Sequence, residues 1–474
     1  MRNRWALAFL FAILNPLSLL AAPEGAGGGE AERFWPQWRG PLMTGVAPHA
    51  TPPLEWSETK NVAWKVEIPG KGSSTPVVWG DRIFVLTAVP IGEPKAVPAT
   101  GTPAPAAPAA AGQAPAGGGP GAPPPGGPRP GGGPPRSILP EHTQQFTVLA
   151  LRRSDGQLLW KRVVREEQPH EGTHPTGTWA SASAATDGRT VLAFFGSRGL
   201  YALDMDGKVL WEKDLGDMKV KLGFGEGSTP ALARDQVFVQ WDHDGGDSFL
   251  VALDRQTGRE LWRQKRDEET SWASPLVIER AGRTEVVTSA TKKVRSYDAK
   301  GGDLLWETPG MTMNAIPTPV HAGGLVFLTS GFRGNALLAV KLDEAKGDIS
   351  ASPAIAWRLD RDTPYVPSPL LYGDELYILK GNNGLLTCLD AKTGERFYGP
   401  ERLEGVPNVY ASPVGAGGRV YIPGREGATA VVERGRAFKL LATNTLEDGF
   451  DASPVAVGSE LYLRGHKFLY RISE

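Results

Sequence analysis

A single cysteine, Cys388, stands among 474 residues. It excludes an internal disulfide and any zinc cluster built on cysteines. Net charge is equally scarce. The 51 Lys and Arg nearly balance 52 Asp and Glu, and the pI is near 6.7, so no basic footprint for nucleic acid exists. Beyond the first 22 residues no stretch is apolar enough to span a bilayer. No G-x-S-x-G elbow occurs, and the Gly-rich GFGEGS (223–228) precedes a strand phrase, which excludes a phosphate loop. What is abundant is 59 Gly, 41 Pro and 14 Trp, a composition of many turns and large aromatic anchors.

The chain opens MRNRWALAFLFAILNPLSLLAAPEG. Arg2 and Arg4 precede an apolar run from Trp5 to Leu20 that is broken by Pro16 and closed by Ala21 and Ala22. This is the pattern of a secretory signal peptide. Cleavage is expected after Ala21, because Pro23 disfavours the bond after Ala22. No cysteine follows, so a lipoprotein is not expected. The sequence thus predicts a signal peptide (1–21), an N-terminal extension (22–60) and a periplasmic or secreted, monomeric domain (61–474) with no membrane span after cleavage.

Repeats decide the fold. A phrase of a small residue, Ser or Thr, Pro and an apolar run recurs as SSTPVV (73–78), GSTPAL (227–232), ASPLV (273–277), PTPV (317–320), PSPLL (367–371), ASPVG (411–415) and ASPVAV (452–457). A weaker copy, SASAAT (181–186), has Ala184 in place of Pro. After a first interval of 108 residues the copies are spaced by 41 to 50. Eight copies at such a period predict an all-β, eight-bladed propeller with four strands per blade. Each period then carries a second apolar strand, such as RIFVLT (82–87), and a third strand ending in a turn phrase, as in VALDRQTGRELW (251–262). In that turn Asp bonds backbone amides and Gly takes the positive φ.

A Trp begins the fourth, outermost strand: Trp160, Trp211, Trp262, Trp306 and Trp357. A large ring there would fill the gap between blades while its N–H finds a backbone partner. Blades six and seven carry Phe397 or Tyr398, and Phe438, instead. After Pro454 only 20 residues remain, enough for three strands. The fourth is VAWKVEI (62–68), whose Trp64 belongs to the same series; the N-terminal strand closes the last blade. Residues 93–137, almost wholly Pro, Gly and Ala, lengthen the first interval and are expected to be a disordered loop between two strands of blade one.

The A-x-D-x-x-T-G-x-x-x-W phrase and the eightfold count resemble the PQQ-binding-like β-propeller repeat family, of the quinoprotein alcohol dehydrogenase-like superfamily. The opening FWPQWRGPLMTGVA (34–47) is similar to the leader of exported members. The resemblance extends from about residue 34 to 474. It implies the fold strongly and the function weakly, since the superfamily also includes a periplasmic lipoprotein of outer-membrane assembly. Its alcohol dehydrogenases carry a vicinal Cys-Cys disulfide beside the quinone, which a single cysteine cannot supply.

Residues 170–175, HEGTHP, match the zinc-protease string H-E-x-x-H. That chemistry needs a helix to put both imidazoles on one metal. Gly172, Pro169 and Pro175 make a helix untenable, so the segment is expected to be a loop on the propeller face that gathers sites. The same face should collect Trp179, Glu226, Trp272, Asn314, Arg333, Tyr410 and Asp451 as candidate ligand-binding residues, and His174, His243 and Asp242 as a candidate zinc, iron or manganese site. PQQ would need an aromatic floor (Trp179 or Trp272), a carboxylate partner (Arg333) and calcium oxygens (Glu226 or Asp451). The favoured expectation is a non-catalytic binding or scaffold module for an extracytoplasmic protein or small-molecule ligand. The alternative is a quinone- or metal-dependent enzyme using the polar mouth.

Overall fold

Each of the eight repeats folds into one antiparallel sheet in the computed structural model, which describes residues 27–95, 137–280 and 282–474. Blade one is built from Val77–Trp79, Arg82–Ile91, Thr143–Arg152 and Leu158–Glu167, running from the axis outward. The two middle strands are sandwiched between neighbouring blades and are therefore apolar on both faces: Phe84, Leu86, Phe146 and Val148 are fully buried. Outer strands alternate. Glu260–Arg266 of blade three turns charged side chains outward, which protects the sheet edge from pairing with other chains.

The ring closes as the sequence predicts. Val62–Glu67 pairs antiparallel with Phe468–Ile472, placing an N-terminal outer strand on the three C-terminal strands of blade eight. Residues 1–21, expected to be a signal peptide, lie outside the described residues, as does most of the 93–137 insertion. The insertion joins the second and third strands of blade one.

At the outer radius, one device joins most blades. The indole N–H of Trp64, Trp160, Trp211, Trp262 and Trp357 donates to a backbone carbonyl in the next blade, at Arg153, Met205, Arg255, Ala299 and Ala391 respectively, over 2.9–3.1 Å. The turn glycine of that next blade, such as Gly207 (φ 84°) against Trp160, lies flat on the ring. A side chain there would collide with the indole, so glycine is needed for both conformation and contact.

Trp306 departs from the expectation. Its N–H donates to Glu285 Oε2 (3.3 Å) within its own blade. The corresponding turn of blade five is longer, and Gly347–Asp348 folds back to pair in parallel with the strand carrying Trp306. In blade six Tyr398 takes the Trp register, opposite Cys388. Phe438 does not take it in blade seven, where Ala442 occupies the position opposite Val431. Phe438 lies in the preceding turn and packs on Tyr398 (5.7 Å). Trp56, from the N-terminal extension, fills the space beside Ala442 and stacks on Tyr421 (6.4 Å).

At the axis lies a second device. The Ser or Thr before each repeat's Pro, or before Ala184, accepts a hydrogen bond from the backbone N–H of its counterpart in the preceding blade. The bonds run Thr75→Ser183→Thr229→Ser274→Thr318→Ser368→Ser412→Ser453→Thr75, between 2.8 and 3.3 Å, without a gap. Pro follows naturally, because the next residue has no inward N–H to satisfy.

The N-terminal extension crosses the lower end of the channel that this ring surrounds. Trp35 exchanges two backbone hydrogen bonds with Val78 of blade one, and Pro36 O accepts from Thr186 N–H of blade two. On the opposite side Thr44 O and Gly45 O accept from Leu371 and Gly415, and Val46–Ala47 adds a parallel pair to the inner strand of blade seven. Between these anchors Arg39 is buried and, among the described residues, has no acidic partner. Its guanidinium donates to the carbonyls of Pro369 (2.7 Å) and Pro413 (3.1 Å), and burial pulls its pKa down to about 9. Residues 35–47 of the extension thus form a plug held by the channel-facing edges of blades one, two, six and seven.

Candidate functional site: an axial cavity floored by the N-terminal extension

The plug turns the channel into a blind cavity of about 260 Å³ that opens at the upper mouth. Trp38 from the plug reaches it from below, and Thr75, Ser183, Thr229, Ser412 and Ser453 of the hydroxyl ring line its waist. The upper wall is aromatic: Phe224, Trp272, Tyr365 and Tyr410. Local contacts fix these rings. Trp272 N–H donates to Gly225 O (2.7 Å), and Tyr365 stacks on Phe332 with centroids 4.8 Å apart.

Two carboxyl groups and one imidazole reach the cavity, and each already has partners. Glu226 accepts from Ser197 N–H (2.8 Å) and Ser197 Oγ–H (2.6 Å). Burial pushes its carboxyl up to about 7, against the opposing pull of these bonds. Asp451 accepts from Arg425 (2.6 Å) and from His466 Nε2 (3.0 Å). Burial works to raise the Asp451 carboxyl, and the His466 and Arg425 bonds override it, holding the group below its ordinary value. His174 packs edge-on against Phe224 (4.8 Å), and burial, aided by the Arg425 charge, lowers its pKa.

Four of the seven ligand-site candidates line this cavity: Glu226, Trp272, Tyr410 and Asp451. Three do not. Trp179 lies behind the wall, beside a small adjoining void, with its N–H on Glu171 O (3.1 Å). Asn314 is buried behind Tyr365, and Arg333 stands over Phe332. Both have positive φ, 57° and 51°, a left-handed backbone that sends a side chain away from its regular course.

The metal reading is corrected. His174, His243 and Asp242 do not converge. Asp242 is buried in blade three, bonded to Arg266 (2.9 Å) and Gln240 (2.7 Å), while His243 Nδ1 accepts from Lys219 N–H (3.2 Å). Among the described residues no group of three or more His, Cys, Asp or Glu could hold a metal. HEGTHP is a loop, as expected. Thr173 bridges Ile138 antiparallel, and His170 Nε2 meets Met218 O, so the two imidazoles serve different neighbours.

Sequence reasoning missed Trp38 and the hydroxyl ring. The Ser or Thr before each Pro was in plain view, but only its register with the axis gives it a role.

The family model described as "Outer membrane protein assembly factor BamB" matches residues 144–396 and 246–472, together more than two thirds of the chain. The chain belongs to this PQQ-like propeller family. Solved structures similar to this family member share 10–13% identity with it, which bears on fold alone. BamB from Moraxella catarrhalis is 13% identical with a TM-score of 0.50, over 69% of this chain and 88% of that one. A europium-containing methanol dehydrogenase is 11% identical with a TM-score of 0.58, over 91% and 89%. The quinohemoprotein alcohol dehydrogenase from Comamonas testosteroni is 10% identical with a TM-score of 0.58, over 93% and 80%. No curated protein sequence matches the chain.

PQQ does not fit this cavity. A flat tricarboxylate needs cationic partners, and among the described residues no Lys or Arg lines the cavity, whereas Glu226 and Asp451 do. Arg425, just outside, is committed to Asp451 and to the face of Tyr410 (4.1 Å). The oxygens proposed for calcium are likewise occupied by Ser197, Arg425 and His466.

Proposed function

We propose that this family member is an exported, non-catalytic binding propeller that engages an extracytoplasmic partner or small ligand at its upper mouth. The carrying observation is the chemistry of the axial cavity: aromatic faces and hydroxyls, with every titratable group already paired or neutral. Nothing there resembles an activated nucleophile or an acid–base pair with free partners. Cys388 is buried in a middle strand of blade six, and burial pushes its thiol up to about 12, which keeps it unreactive. Export rests on the basic, apolar and small-residue pattern of residues 1–21. Among the described residues no helix is long and apolar enough to cross a membrane.

A dye-linked dehydrogenase assay on the full mature chain, incubated with PQQ and Ca²⁺ and offered short alcohols and hexoses, tests the non-catalytic reading. No dye reduction is expected. Turnover above the rate without protein would overturn the proposal in favour of a quinone-dependent enzyme. Cell fractionation with and without residues 1–21 tests export: removing them should retain the protein in the cytoplasm.

A further inference from the structure

We propose that the axial cavity takes a neutral, polyhydroxylated ligand the size of one sugar ring. The inference rests on the binding reading above and adds the ligand class. Charge comes first. An anion would meet the Asp451 carboxylate and the Glu226 carboxyl and, among the described residues, no Lys or Arg on the lining. A cation would find no free anion, since the Asp451 carboxylate carries Arg425 and His466, and Glu226 is closed by Ser197. Desolvating a charged ligand without a free counter-charge is costly, so the walls select a neutral molecule.

Shape and hydrogen bonding narrow the class further. At about 260 Å³ the cavity falls below the usual range for drug-sized ligands, roughly 300–1,000 Å³. Its ends are aromatic, with Trp38 below and Trp272, Tyr365 and Tyr410 above, and such faces suit the C–H surface of a pyranose. Its waist is a girdle of hydroxyls. Thr75, Ser183, Thr229, Ser412 and Ser453 each accept one backbone N–H. Among the described residues none of these five hydroxyls donates, so each retains an O–H hydrogen and a lone pair. A polyol satisfies both functions at once, whereas a hydrocarbon ring would leave them unpaired. The open mouth admits either a free sugar or the terminal residue of a glycan.

Isothermal titration calorimetry of the full mature chain decides the matter. The neutral probes are glucose, galactose, mannose, maltose and lactose; the charged probes are tetramethylammonium and PQQ. At least one neutral sugar should bind saturably, and the charged probes should not. Binding by a disaccharide as well as its hexose would assign the terminal residue of a glycan; binding by the hexose alone would assign the free sugar. Tyr410→Ala, at the rim, should weaken binding by about tenfold or more while leaving thermal melting nearly unchanged. Because Trp38→Ala could loosen the plug, Trp38→Phe, which retains a ring, serves as the milder floor variant and should weaken binding less. Absence of heat with every neutral sugar at tens of millimolar, or saturable binding by a charged probe alone, would overturn the inference. Sugar binding accompanied by dye reduction would sustain this inference while overturning the non-catalytic reading, so the two fail separately.

Discussion

Neighbouring blades are joined twice, at the rim and at the axis, and the two joints work in opposite senses. At the rim a side chain donates to backbone: an indole N–H reaches a carbonyl of the next blade. At the axis backbone donates to a side chain, an amide N–H reaching a hydroxyl. The rim tolerates variation. Trp306 turns to its own blade, Tyr398 substitutes in blade six, and Trp56 is brought from the plug to serve blade seven. The axis tolerates none, and all eight hydroxyls are present. The radius explains the difference. Blades splay apart outward, leaving room for insertions and alternative rings, whereas at the axis eight chains converge and the neighbour's hydroxyl is the protein partner that each of these amides meets.

The most damaging way to probe this contrast is Trp211→Ala at the rim. The indole is 9% exposed, and removing it leaves a void between blades two and three. A loss of about 3–5 kcal/mol is expected in denaturant unfolding. Thr229→Val at the axis is nearly isosteric and strands the N–H of Ser183. It should cost about 1–3 kcal/mol, through hydrogen bonding rather than volume. A cost below a few tenths would mean that water replaces the hydroxyl and that the ring is not a structural joint.

The smallest expected effect is the pH response of Glu226→Gln. Burial raises this carboxyl from 4.5 to about 7, so the folded chain holds a proton that the unfolded chain has released. Stability from this group is complete below about 4.5, declines as pH rises, and is lost above about 7. Glu226→Gln should remove that decline, seen as a flatter melting temperature between pH 5 and pH 8.

The rim was largely legible before the fold was known, because its parts are adjacent in sequence. Asp254, Thr257, Gly258 and Trp262 lie within nine residues, and local turn chemistry sets their geometry. The candidate site was half legible. Glu226, Trp272, Tyr410 and Asp451 enter the cavity as their loop positions suggest, whereas Asn314 and Arg333 are turned away by left-handed backbone that no motif announces. The metal triad failed for another reason. Asp242 sits beside His243 in sequence, but its carboxylate is drawn inward by Arg266, a partner 24 residues away.

From the sequence alone came the blade count, the closing strand and the rim tryptophans. These follow from periodicity and from turn chemistry that acts within a few residues. Only the tertiary structure decided that the extension before the first blade plugs the channel, that Trp38 reaches the cavity, and that eight hydroxyls form one ring. Each of those facts depends on contacts between segments tens to hundreds of residues apart, such as Arg39 with Pro413 and Thr75 with Ser453, and no local pattern encodes them.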